Sequence, residues 1–126
     1  MGALRQSALA TGDDLTASIG FYRDALRLAF LGRFEPPRIA FFDAHGTRLL
    51  LSSDAPIARL YFDVANISVA SKELMERGIA FKGDPVMVHH DETGQFGEPD
   101  TEEWMQFFDD PAGNLIAIVE RRQSRA

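Results

Sequence analysis

Phe107-Phe108-Asp109-Asp110-Pro111-Ala112-Gly113-Asn114 reads as a strand running into a hairpin turn. Pro111 fixes φ at the second position of the turn, and Gly113 supplies the left-handed residue that such a short hairpin loop needs. A shorter echo lies upstream, where Phe41-Phe42-Asp43 precedes Phe107-Phe108-Asp109 by 66 positions and Gly46 precedes Gly113 by 67. The helix ends are doubled too. Asp14 and Asn66, both good helix caps, are 52 positions apart, as are Leu26 and Gly78 where the helices finish. Two copies of one unit therefore make up the chain.

In the first copy a strand is expected at Ser7 to Thr11. A helix follows, with apolar Leu15, Ile19, Tyr22 and Leu26 on one face. Gly20 inside it suggests close backbone packing. Strands at Leu28 to Phe34, Arg38 to Asp43 and Thr47 to Ser53 come next, parted by Pro36-Pro37 and by the turn Ala44-His45-Gly46, which leaves His45 exposed. The second copy has a strand at Leu60 to Val64 and a helix with Ile67, Ala70 and Leu74 on its apolar face. Ile79 to Lys82 and Val86 to His90 form one broken strand, and Trp104 to Phe108 and Leu115 to Glu120 complete the copy. Gly83 to Glu103 is a long excursion, either a solvated acidic loop or a lid.

With 126 residues, 45% hydrophobic and 25% charged, the chain suits one compact domain. Modules at about 5–53 and 58–120 divide it. No apolar run is long enough to span a membrane and no secretory leader is evident, so a cytoplasmic location is expected. Gln6 stands where a myristoylation signal needs Ser or Thr. The absence of cysteine excludes disulfides, thiolate metal sites and a cysteine nucleophile. A net charge of −6 argues against nucleic acid as a partner, and Arg121, Arg122 and Arg125 are expected to form a solvated tail. No Ser-His-Asp order, phosphate-binding glycine loop or HExxH helix is present.

The doubled βαβββ unit, with Phe21-Tyr22-Arg23-Asp24-Ala25-Leu26 in its first helix and Phe108 to Asn114 in its last hairpin, resembles the vicinal oxygen chelate superfamily of glyoxalases, bleomycin-resistance proteins and extradiol dioxygenases. The resemblance spans about residues 5 to 120. It implies an α+β fold in which two βαβββ modules build a cup-shaped, partly open eight-stranded mixed sheet with helices outside. It further implies a small-molecule ligand in the cup, and often a homodimer. In metal-dependent members, ligands sit on the first and last strand of each module. Those positions are Ser7, Leu50, Arg59 and Ala117, none of them a usual metal ligand, so no metal or other cofactor is expected there.

Arg59 is a candidate to hold a carboxylate, phosphate or enolate oxygen in place of a metal, or else it turns to water or pairs with Asp63. Alternation sends Tyr61 and Asp63 to the same side. His90, in His89-His90-Asp91-Glu92, is a candidate pocket hydrogen-bonding group or base, a member of a displaced metal site, or a solvated residue at a loop entry. Trp104 and Gln106 form either a ligand wall or ordinary core. Ser7, Leu50, Arg59, Tyr61, His90, Trp104, Gln106 and Ala117 are the candidate ligand-binding set, with Arg59, His90 and Asp63 the candidate catalytic groups. The expected function is metal-free ligand binding, as in bleomycin-resistance-type proteins. The alternatives are a lyase, isomerase or dioxygenase whose metal sits on His90 with Glu92 or Asp91, a metal-free proton-transfer enzyme with Arg59 as electrophile and His90 or Asp63 as base, and a structural dimer with a filled cup.

Overall fold

The computed structural model describes residues 1–124. Asp14 caps the first helix as its residue type predicts, its carboxylate accepting the Ala17 N–H at 2.9 Å. This helix, α1, covers Leu15–Gly20 and continues as a π-helical turn over Phe21–Ala25. Gly20 marks that transition rather than a close approach, since a Cβ there would meet nothing nearer than Asp24 Oδ2 at 3.9 Å. Strand β1 (Gln6–Ala10) precedes α1, and β2 (Ala29–Phe34), β3 (Ile39–Ala44) and β4 (Thr47–Ser52) follow it. They form an open mixed sheet ordered β1-β4-β3-β2, with β1 parallel to β4.

Pairing decides which residues share a face. Ser7 and Leu9 lie opposite Leu49 and Leu51, while Ala8 lies opposite Leu50. Leu9, Leu49, Leu51, Ala40 and Phe42 are buried, and Tyr22 from the π-helical turn packs on Phe42 with ring centroids 5.9 Å apart. Burial of each of the leucines and of Phe42 contributes roughly 1.5–3 kcal/mol. The opposite face, with Ala8, Leu50 and Phe41, is free of the helix.

The second set runs β5 (Arg59–Asp63), α2 (Ile67–Glu76), β6 (Val86–Asp91), β7 (Thr101–Asp109) and β8 (Leu115–Gln123), in an open sheet ordered β5-β8-β7-β6. Asn66 caps α2 by accepting the Val69 N–H at 3.1 Å, and the buried Glu120 takes the Ile67 N–H at 2.7 Å. Residues 79–82 form no strand, although Lys82 N–H does donate to Phe107 O. The excursion is also shorter than its composition suggests: β6 and β7 take up 86–91 and 101–103 and leave 83–85 and 92–100 outside the strands. Strand β8 runs on through Arg121 and Arg122, so these two are sheet residues and not a solvated tail; Arg125 lies outside the described residues.

The chain divides into two compact units. The first is Met1–Arg59 with Asp109–Leu115; the second is Leu60–Phe108 with the strand from Ile116 onward. The β7–β8 hairpin thus belongs with the first unit, although the sequence repeat assigns it to the second copy.

Candidate functional site

The backbone bonds Leu115 N to Ala58 O at 3.1 Å and Val64 N to Val119 O at 2.9 Å set the parallel β5/β8 register. They place Arg59 opposite Leu115, Tyr61 opposite Ala117 and Asp63 opposite Val119. The helix-facing side of β8 carries Glu120, which reaches α2. Its alternating neighbour Arg122 stacks over Trp104 at 4.3 Å. Ala117, Val119 and Arg121 therefore occupy the helix-free face, together with Glu103, which Arg121 bonds at 2.8 Å.

Of the candidate residues, the structure brings Arg59, Tyr61, Asp63 and Ala117 to this side. Arg59 and Asp63 are exposed, Tyr61 is 54% exposed and Ala117 is buried. No ion pair joins Arg59 to Asp63, and the Arg59 guanidinium has no partner among the described residues. Trp104 and Gln106 do not join them. They lie on the helix side, where Gln106 is buried and donates to Gly83 O at 3.0 Å and Trp104 donates to Glu102 at 2.9 Å. In the first sheet, Leu50 is on the helix-free face, but Ser7 is on the other one, because it pairs with Leu49 and the side-chain period is two. Ala8 is the residue of β1 that shares a side with Leu50.

A bulge separates the two histidines. Strand β6 slips between Met87 and His89, so His89 opposes Glu103 and His90 opposes Glu102. His90 is thereby turned away from the Arg121 side. Its Nε2 lies 2.7 Å from Asp100 Oδ1 and its Nδ1 4.0 Å from Glu92. The Asp100 hydrogen bond, with the negative charges of Asp100, Glu92 and Glu102, raises its pKa above the ordinary histidine value.

Asp91, which the sequence offers only as a partner of His90 in a displaced metal site, instead holds a loop, a role that sequence reasoning missed. It is buried, accepts the N–H groups of Gly94, Gln95 and Phe96 at 3.0, 2.8 and 2.9 Å, and pairs with Arg121 at 2.6 Å. Arg121 first, then those amides, hold its carboxyl well below the usual carboxylate range. The only hint in the sequence is Gly94 and Gly97 after an Asp, a turn signal without an address.

A cavity of about 450 Å³ opens at the start of α2, lined by Asn66, Ser68, Glu120, Arg122, Gln123 and Ser124. Glu120 and Asn66 already take the Ile67 and Val69 amides there. A Zn or Fe centre on the first and last strands finds no donor set in Ser7, Leu50, Arg59 and Ala117, nor in the register-corrected Ala8, Leu50, Tyr61 and Ala117. Among the described residues no group of three or more His, Asp or Glu side chains gathers to hold a metal elsewhere. No helix is long and apolar enough to cross a membrane among those residues.

The model of the Glyoxalase/Bleomycin resistance protein/Dioxygenase superfamily matches residues 6–118. The chain belongs to that superfamily. A lactoylglutathione lyase from Agrobacterium tumefaciens has the same fold, with a TM-score of 0.72 and 22% identity over 95% of this chain and 94% of that one. A glyoxalase/bleomycin resistance protein/dioxygenase from Nocardioides matches at 0.72 and 19% over 100% and 87%, and a virulence protein from Salmonella typhimurium at 0.71 and 22% over 95% and 97%. No match emerges among the curated proteins.

Proposed function

We propose that this superfamily member binds a small organic anion with a flat apolar body on the side of β5 that carries Arg59 and Tyr61, with no metal at the family's ligand positions. The observation that carries this reading is the exposed Arg59 guanidinium, without a partner among the described residues, two residues from the exposed Tyr61 ring, the pair lying opposite Leu115 and Ala117. A guanidinium offers paired donors to a carboxylate, and the exposed tyrosine ring offers a stacking surface. Sequestration of a ligand, as the bleomycin-resistance part of the superfamily description suggests, needs nothing more.

The likeness to a lactoylglutathione lyase supports a second reading, metal-free proton transfer with Arg59 polarising an oxygen. In that reading Asp63, which keeps the Arg59 side of β5, is better placed as the base than His90, whose Nε2 is engaged by Asp100. Titration with benzoate, followed by calorimetry and thermal melting, tests the binding reading. Benzoate binds and stabilises the wild type, and Arg59→Ala removes the effect while the unliganded melting temperature stays put. Equal benzoate affinity in the variant would reject it.

A further inference from the structure

His89, not His90, faces the helix-free side of the second sheet. It shares that side with Glu103, directly opposite, and with Val86 and Met105, which oppose each other next along the two strands. Its Nε2 is buried and has no hydrogen-bond partner among the described residues. Protein interiors rarely leave such an atom unsatisfied. The neighbour against the imidazole is Phe96, edge-on with ring centroids 5.4 Å apart and itself 68% exposed.

The backbone that carries Phe96 is pinned. Asp91 holds the amides of residues 94–96, and Arg121 donates to Glu98 O at 3.1 Å. At Gly97 a Cβ would come within 3.3 Å of Arg121 Nε, so the loop rides directly on the guanidinium. The Phe96 ring is mostly in solvent, so moving it off the imidazole gives up little buried apolar surface. Arg121 is outnumbered by two carboxylates, Asp91 at 2.6 Å and Glu103 at 2.8 Å, a balance that repels anions and tolerates neutral donors.

We propose that His89 anchors a second binding subsite for a flat, uncharged ring bearing a hydroxyl, a phenol by chemical class. The ligand ring takes the place of the Phe96 ring against the imidazole, with Val86 and Met105 beside it, and His89 Nε2 accepts the hydroxyl proton while Nδ1 carries its own. This extends the proposed function, and it rests on the reading that the helix-free side receives ligand.

The experiment titrates phenol into protein labelled with ¹⁵N at its histidines, His45, His89 and His90. The His89 nitrogens shift saturably and the others do not. His89→Phe loses phenol affinity by tenfold or more, and Phe96→Ala, which removes the competing ring, tightens it. Unmoved His89 signals, equal affinity in His89→Phe, or weaker binding by Phe96→Ala would overturn the proposal; if His89→Phe fails to fold, the wild-type spectra and Phe96→Ala decide. A benzoate arm separates the two readings. Benzoate bound through Arg59 with His89 deaf to phenol rejects only the subsite, and phenol bound at His89 without benzoate binding rejects only the anion reading.

Discussion

The Tyr22 hydroxyl donates a 2.6 Å hydrogen bond to the Asp110 carboxylate, 88 positions along the chain. These residues belong to the two sequence motifs that carry the family resemblance, the first helix and the last hairpin, and the structure shows those motifs in contact. Asp110 also accepts from Ala112 N, Asn114 N and Asn114 Nδ2, and Asn114 reaches Ala10 O and the Ala58 N–H. A buried carboxylate with four donors ties the hairpin into the first unit.

Tyr22→Phe removes one donor from this buried charge and lowers stability by about 1.5–3 kcal/mol, read as a lower urea midpoint at an unchanged slope. Burial first, then the Asp110 hydrogen bond and charge, push the Tyr22 hydroxyl far above the ordinary 10.0. A raised folded-state pKa on a group that stays neutral contributes fully below pH 10.0 and is lost as the pH climbs beyond it. Tyr22→Phe is therefore expected to narrow its stability deficit in strong alkali; a deficit that stays constant there would count against this coupling.

Asp91→Ala releases the amides of Gly94, Gln95 and Phe96. Their hydrogen exchange is expected to quicken by roughly tenfold or more relative to the native protein, with β7 and β8 little changed. Because the folded carboxyl titrates below its ordinary value of 3.8, its contribution is complete above that value and disappears as the pH falls through the lowered one. Acid should free the wild-type loop in the same way, and a loop still protected in Asp91→Ala would refute the clamp.

His90 behaves oppositely. Its raised pKa means that the link to Asp100 is fully present below pH 6.5 and fades as the pH rises through the raised value. His90→Gln is expected to lower the melting temperature more at about pH 5.5 than at about pH 9. Equal shifts at both would show that the ion pair does not matter.

Much of the fold is legible in local signals. Asp14 and Asn66 announce the two helix starts, and Pro111 with Gly113 announces the last hairpin. Which face a strand residue takes is not legible, because parity depends on pairing partners far away in the chain. Ser7 is assigned to the wrong side by a single step of register. Trp104 and Gln106 alternate as expected, but only the reach of Glu120 to α2 reveals that theirs is the helix side. The histidines fail for a different reason: the bulge at Val88 inverts the parity of everything after it, so His89 takes the side that unbroken alternation would give to His90. Asp91 and Arg121 are 30 positions apart, and no spacing rule links them.

The central claim, a ligand-binding member whose family positions hold no metal, is tested most directly by elemental analysis of the purified chain after incubation with zinc, nickel, manganese and iron(II) and desalting. No metal retained near one per chain, with benzoate still stabilising the protein, is the predicted result. One tightly held metal per chain would contradict it.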